Sequence, residues 1–555
     1  MIDFTQYVAT RLGRLVTPQA EPMPGTQQVP NDAGGYAWAV DAWVRLDRFL
    51  VLGTEGGTFY VGERPLTREN AAAVAMCLTE DGPRVVRRVV EVSLSGRAPG
   101  NDPALFVLAM AAAAPDAATR DAALGALNVV ARTGTHLFHW LRYVTAFRGW
   151  GRGVRRAVAR WYTAKRPADL AYQLLKYRTR DGWSHADALR LAHPKAPSDT
   201  HQVLFRYAVD RAEHGGEHER RADPEVMGRL AAVQSLRTMS PAQAAAVIRI
   251  YRLTREMVPT ELLTHPVVWA ALLDRMPLAA IVRNLGVMTA VGLIAAGSDA
   301  ARYVASRLGD RAAVRRARVH PVAVLSALAV YVHGHGEKGS RAWTPVREVV
   351  DALDGAFYLA FENVRPSGKR IVLALDVSGS MGSSVMGMRH LSCRDAAAAM
   401  ALVTAASEPA HRFVAFTRGN HASRWRAQHG TQFDIGLTEL AISPRQRLDD
   451  VVRATNGLPF GGTDCALPMV EARTHRWAVD AFIVYTDNET WAGPVHPAQA
   501  LRAYREQMGI AAKLVVVAMA SNGFSIADPN DAGMLDVVGF DAATPQVVSD
   551  FLSEA

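Results

Sequence analysis

The chain has little from which to build a disulfide framework or a thiolate metal cluster. Its three cysteines, Cys77, Cys393 and Cys465, stand far apart among 555 residues. That spacing argues for a reducing compartment. Long hydrophobic runs are also missing: the longest apolar stretches, Ala109–Pro115 and Val287–Gly297, are too short to span a bilayer. The first residues, Met1-Ile2-Asp3-Phe4, bring in an acid at once and lack the basic-then-apolar order of a signal peptide. A cytoplasmic protein with no membrane partner is the expectation. No cluster of carboxylates able to hold two metal ions is visible, which disfavours a metal-dependent nuclease.

Acid is scarce in a particular place. The net charge of +9 is unevenly spread: Arg370–Ala555 carries 15 Lys and Arg against 19 Asp and Glu, a net of −4. Residues 1–369 carry 47 against 34, a net of +13. A basic half of this kind suits a polyanion such as nucleic acid. At 555 residues, two or more domains are expected.

Residues 1–35 are rich in Pro, Gly and Gln and read as an extended arm with few core positions. Arg48–Gly53 and Thr58–Gly62, with Glu55-Gly56-Gly57 between them, read as a β-hairpin. From about Thr67 to Tyr358 the apolar residues recur at 3.6 spacing in short segments separated by Pro and Gly. Examples are Ala117–Val130, Gly151–Ala164 and Ala242–Tyr251. Many short helices in succession suggest a helical solenoid of the HEAT class across 36–361. Arg211–Asp223 reads as an exposed loop and residues 362–369 as a linker. Beyond it, apolar runs at Arg370–Leu375, Arg412–Phe416, Ala481–Tyr485 and Lys513–Ala518 alternate with helical segments, among them Arg394–Ala406. The fold class is therefore α plus α/β, with a doubly wound, Rossmann-like sheet over 370–555.

Asp376-Val377-Ser378-Gly379-Ser380 follows directly on the first of these strands. A carboxylate and two hydroxyls at alternate positions are hard oxygen ligands of the kind Mg²⁺ prefers. They lie where open α/β sheets place their sites, outside the carboxyl ends of strands. Two further loops could complete the set: Phe460-Gly461-Gly462-Thr463-Asp464, and Tyr485-Thr486-Asp487-Asn488-Glu489. The plain alternative is a turn that caps helix Arg394–Ala406. Asp464 and Glu489 read as surface or supporting groups, with no nucleophile and base pair beside them.

Residues 141–180 hold eleven Lys and Arg and one acid, Asp169. On the segment 151–164, Arg152, Arg155, Arg156 and Arg160 share one face and Val154, Val158 and Trp161 another. The guanidinium face would track phosphates. The interleaved aromatics, among them Trp150, Trp161, Tyr162 and Tyr172, are either core or platforms for single-stranded bases. His185, His193 and Lys195 follow at loop positions.

The pattern Asp376, Ser378, Ser380, distal Thr463 and distal Asp487 resembles the metal-ion-dependent adhesion site of von Willebrand factor A domains. By that resemblance Ser378, Ser380 and Thr463 ligate Mg²⁺ or another divalent cation, Asp376 and Asp487 act mainly through waters, and one position is left for a ligand carboxylate. The whole chain resembles the Ro ribonucleoprotein autoantigen family, a TROVE domain plus an A domain, in its bacterial form. The phrases that carry this are Phe49–Tyr60, Lys176-Tyr177-Arg178 with Gly182-Trp183-Ser184-His185, Leu191–Lys195, Met276-Pro277 through Arg283-Asn284-Leu285-Gly286, and Gly368-Lys369-Arg370. The resemblance implies that HEAT-like repeats close into a ring joined by the A domain. It also implies that Y RNA binds the outer basic surface and that single-stranded 3′ ends of misfolded noncoding RNA thread the hole. Lys176, Arg178, Arg180, His185, His193 and Lys195 map to the Y RNA surface; Arg142, Arg148, Arg152, Arg155 and Arg156 map to that surface or the hole. The expected protein is a noncatalytic monomer in RNA quality control, able to tether a 3′ exoribonuclease through its RNA. The competing expectation is an adhesion module whose A domain captures an acidic protein through Mg²⁺.

Overall fold

The computed structural model describes residues 16–53, 71–210, 217–317, 319–336, 340–359, 366–385, 388–417, 436–443, 446–458, 461–520, 522–539, 541 and 543–554. The chain divides into two compact units, one of Val74–Ala360 and one of Met1–Ala73 with Phe361–Ala555.

Where it is described, the Val74–Ala360 unit is mainly helical, with one short hairpin at Thr179–Arg180 and Trp183–Ser184. Helix 102–112 packs on helix 134–148, helix 117–130 on 152–163, and 152–163 on 185–192. Each helix thus rests on the next but one, as in a solenoid of antiparallel pairs. The starts are set by local capping chemistry. Asp116, Thr133, Ser240 and Ser298 each accept a backbone N–H from the first turn of the helix that follows. Helix Ala72–Ser95 is broken at Asp81, whose φ of −151° and side-chain bond to the Arg84 amide restart the helix at Pro83. Segments far apart in sequence touch within this unit: the ring of His320 bonds the carbonyl oxygen of Arg97 at 2.8 Å.

The second unit is built on a six-stranded sheet. Its strands are β1 (Ile371–Asp376), β2 (His411–Phe416), β3 (Leu437–Glu439), β4 (Ala481–Thr486), β5 (Lys513–Ala518) and β6 (Met534–Val538). The order is β6-β5-β4-β1-β2-β3, parallel except for β3 against β2. β1 and β4 are buried at every residue because helices cover both faces. The chain leaves β1 toward β2 on one side and β4 continues toward β5 on the other. The β1/β4 boundary is therefore the switch point, where a crevice opens at the strands' carboxyl ends.

Two readings are corrected here. Arg48–Gly53 is not a strand but the end of helix Ala42–Leu52. Asp41 caps it, accepting from the Trp43 and Val44 amides at 2.7 and 3.0 Å, and Gly53 closes it in the left-handed region at φ 86°. Phe49-Leu50-Val51-Leu52 is apolar all round because the last turn is buried all round, and periodicity alone cannot separate that from a strand. Thr58–Gly62 lies outside the described residues. The arm over 1–35 is also more than an extended segment with few core positions. Gln28–Pro30 and Tyr36–Ala39 form a small antiparallel sheet with Phe524–Ser525, and Gln19, Met23 and Asn31 are buried against the A domain.

Candidate functional site

The three candidate metal loops gather at the β1/β4 switch point. Asp376 ends β1 and Asp487 follows β4, and with Ser378, Ser380 and Thr463 all are at most 3 % exposed. One Asp376 oxygen accepts the Ser378 amide at 2.9 Å and the other accepts the Thr486 hydroxyl at 2.6 Å. The Ser378 and Ser380 hydroxyls lie 3.0 Å apart. Arg394, buried beneath the loop, donates to the carbonyl oxygens of Val377 and Ser378.

The capping alternative is excluded. Helix Cys393–Ser407 carries its own capping box, with Ser392 accepting from the Asp395 amide and Asp395 accepting from the Ser392 amide. The Asp376–Ser380 loop has no part in it.

Whether a cation fits can be asked of the oxygens. The Thr463 hydroxyl and one Asp487 carboxylate oxygen are buried without a hydrogen-bond partner. Burial raises the Asp376 pKa, against the pull of bonds from Ser378 and Thr486. Burial, followed by the Asp376 charge, pushes Asp487 up to about 7. Two buried acids with orphaned hydroxyl and carboxylate oxygens beside them make a hard-oxygen donor set that a small divalent cation satisfies. Among the described residues no group of three His, Cys, Asp or Glu side chains could hold a metal, so such a site here depends on hydroxyls.

Asp464 and Glu489 are not surface groups. Both are buried, with Asp464 raised to about 6 and Glu489 to about 8, each chiefly by burial. Gln19 explains how they are held. Its amide nitrogen donates to Asp464 at 2.7 Å and to the Val495 carbonyl at 2.8 Å, and its oxygen accepts from the Thr490 hydroxyl and the Gly493 amide. Asn31 donates to the Thr490 carbonyl at 2.6 Å, and the Ala33 amide donates to Glu489 at 3.0 Å. A Cβ on Gly35 would stand 1.9 Å from the Thr490 oxygen, so only glycine permits this approach. Arg48, fully buried, bonds the Asn522 carbonyl, and the Asn522 side chain donates to the Asp487 carbonyl. Residues 19–48 therefore brace both distal metal loops. No sequence signal marked them, because their partners lie more than 400 residues away.

The basic candidates cluster in the helical unit. Arg142, Arg148, Arg152, Arg155, Arg156, Arg178, Arg180, His193 and Lys195 are exposed. Lys176 is half-buried, 2.8 Å from the Tyr172 hydroxyl and over the Tyr172 and Tyr177 rings. Asp181 and Gly182, with φ of 52° and 77°, make a tight turn between Thr179–Arg180 and Trp183–Ser184. Asp-Gly between short strands is a hairpin signal. This hairpin carries Arg180, and its Trp183 stacks on Trp150 with centroids 6.1 Å apart. Trp161 and Tyr162 are core, while Trp150, Tyr172 and Trp183 are half-buried.

His185 is corrected. It is 4 % exposed, bonded to the Tyr162 hydroxyl at 2.7 Å and edge-on to Phe138, so it lies beneath the basic surface rather than on it. It opens helix His185–Ala192, and the capping box of Ser184 and Asp187 turns its ring inward. Burial lowers its pKa from 6.5 to about 4. The folded state therefore holds it neutral. Stability is full above about pH 6.5 and is lost as pH falls through about 4, by roughly 3 kcal/mol. Denaturant titrations of wild type and His185→Gln at neutral and acid pH should show the variant's pH dependence flattened; parallel curves would contradict this.

A helical-repeat unit beside an A domain with an adhesion-type metal signature defines a narrow class of protein. Residues 29–330 match the TROVE domain and residues 370–552 match the Ro60 vWA domain. The chain is 43% identical over 537 residues to the RNA-binding protein RO60 of Deinococcus radiodurans, covering 96% of this chain and 97% of that one. It is 36% identical over 601 residues to the RNA-binding protein RO60 of Caenorhabditis elegans, covering 95% and 90%. The crystal structure of the Deinococcus RO (RSR) protein superposes with a TM-score of 0.69 at 42% identity, covering 92% of this chain and 99% of that chain. The chain belongs to the Ro60 family.

Proposed function

We propose that this protein is a noncatalytic RNA-binding protein whose helical unit binds RNA. The observation that carries this is the charge of that unit. Val74–Ala360 holds 39 Lys and Arg against 25 Asp and Glu, a net of +14, while the remainder of the chain is at −5. Among the exposed arginines of 142–180, Arg142, Arg166 and Arg180 stand near Asp181 or Asp169. Among the described residues, Arg148, Arg152, Arg155, Arg156 and Arg178 have no carboxylate within ion-pair distance, so their fields add. Family membership supports the finer reading. Y RNA binds the outer surface formed by Lys176, Arg178, Arg180, His193 and Lys195, and single-stranded 3′ ends of misfolded RNA enter a central hole. The His320–Arg97 bond, which joins an early and a late segment of the helical unit, is in keeping with a closed ring. Such a protein serves noncoding RNA quality control and adapts a 3′ exoribonuclease to its substrate in the cytoplasm.

In the A domain, Ser378, Ser380 and Thr463 would hold Mg²⁺, with Asp376 and Asp487 behind waters. The cation would supply a positive charge that a carboxylate of a protein ligand can meet. The unpartnered Thr463 and Asp487 oxygens favour this second, adhesive activity alongside RNA binding.

Lys176→Ala with Arg178→Ala should weaken binding of a structured RNA. Its log–log salt slope should become shallower by roughly 0.7 to 0.9 for each phosphate no longer neutralised. Unchanged affinity would remove the surface assignment. Sequencing the RNA that copurifies with the protein identifies the natural ligand, and recovery of no RNA would contradict the function.

A further inference from the structure

Three recesses run together along the helical unit. One of about 620 Å³ is lined by Tyr172, Lys176, Arg252, Arg255 and Arg275. It shares Glu256 with a second, of about 670 Å³, that contains Arg178 and Arg237. The second shares Arg178, Val233 and Arg237 with a third, of about 400 Å³, where Tyr207 is added. Each has the size that takes a small ligand or a nucleotide or two, not a duplex.

Basic groups in this groove outnumber the acids that line it, Glu256, Glu261 and Asp274. Among the described residues, Arg237, Arg252, Arg255 and Arg275 have no carboxylate within ion-pair distance, although Arg249 pairs with Asp274 at 2.8 Å and Lys176 stands 4.0 Å from Glu256. Converging guanidinium groups repel one another, and an anion that threads between them relieves this. Arg252 adds a conformational argument. It closes helix Pro241–Tyr251 in the left-handed region, at φ 53°, where glycine is the usual residue. A side chain there costs on the order of 1 kcal/mol of backbone strain. The strain sets a guanidinium on the groove wall. Half-buried Tyr172, with Lys176 over its ring, and half-buried Tyr207 line the first and third recesses. Cationic walls with spaced aromatics are what a single-stranded chain needs.

We propose that this groove is a binding track for single-stranded RNA, running from the Lys176/Arg178 surface to Arg237, Arg252, Arg255 and Arg275. The proposal rests on the RNA-binding reading above and adds residues that lie outside the 141–195 segment. It predicts that single-stranded and structured RNA are held by separable sets of arginines.

The test uses the full-length protein with three probes: an unstructured oligouridine, a tailless hairpin RNA and uridine monophosphate. Arg252→Gly relieves the left-handed strain while removing the charge, so its unfolding midpoint should not fall. Combined with Arg255→Ala and Arg275→Ala, it should bind oligouridine roughly tenfold more weakly, with a salt slope shallower by about 2. Hairpin binding should change less than twofold. Replacing Arg84, Arg87 and Arg347 by Ala removes the same charge elsewhere and should leave oligouridine affinity in place. Equal losses for oligouridine and hairpin, or no loss for oligouridine, overturn the track. So does uridine monophosphate binding as tightly as the oligomer, which would make the groove a nucleotide pocket. Failure of the wild type to bind any RNA would instead overturn the RNA-binding reading itself.

Discussion

In EDTA the A domain is expected to lose stability as pH rises from about 4 to 8, and Mg²⁺ is expected to restore it. Burial holds Asp487 at about 7 and Glu489 at about 8, where ordinary values are 3.8 and 4.5. These pKa values are raised in the folded state, so the fold binds protons that the unfolded chain releases. Their contribution is full below about pH 4 and is lost as pH climbs through the folded values. A tenfold change in a proton's binding constant is worth about 1.4 kcal/mol, so the loss across the two groups is on the order of several kcal/mol. A cation at Ser378, Ser380 and Thr463 reverses the balance, because it favours the charged carboxylates. Calorimetry on the full chain should show a transition that falls from about pH 4 to about pH 8 in EDTA and stays level in Mg²⁺. Asp376→Ala should erase the difference between the two buffers. Superimposable EDTA and Mg²⁺ curves for the wild type would mean that the oxygens do not take a cation.

Gln19→Leu is expected to be nearly as costly, although Gln19 is far from every motif. Its amide makes four hydrogen bonds in a fully buried position, to Asp464, Val495, Thr490 and Gly493. An isosteric apolar side chain leaves the buried Asp464 carboxylate with only the Ala466 amide as donor, and unsatisfied buried groups cost about 1 to 3 kcal/mol each, more when charged. A destabilisation of about 3 kcal/mol follows. Mg²⁺ binding should weaken about tenfold, on the order of 1.4 kcal/mol, since Thr463 adjoins Asp464 and Asp487 leads into Thr490. Gly35→Ala attacks the same contact from the backbone, where a Cβ would overlap the Thr490 oxygen. Titration calorimetry separates two roles. Lower stability with unchanged Mg²⁺ affinity would reduce Gln19 to a packing residue; a fall in both fits a residue that positions the metal loops.

These long-range supports mark the limit of what a single sequence reveals. The meeting of the three loops at the strand ends was legible because their oxygen-bearing residues fall at short spacings after buried strands, and strand Lys513–Ala518 was delimited to the residue. The solenoid helices were legible because apolar residues recur at 3.6 spacing and several of them carry a side-chain cap. Edge strands Leu437–Glu439 and Met534–Val538 were not, since a half-exposed edge has no continuous apolar run. Helix Ala42–Leu52 was misread at its buried last turn. His185 looked like a polar loop residue because nothing local shows that the Ser184–Asp187 cap turns its ring into the core. Gln19, Asn31 and Arg48 act through partners set by tertiary packing alone.

The most direct test of the account is ultraviolet crosslinking of the copurified RNA followed by peptide mapping. Crosslinked peptides are predicted from the helical unit, concentrated in residues 142–195 with a second group at 237–275. Crosslinks confined to residues 370–555, or a purified protein with no RNA attached, would contradict it.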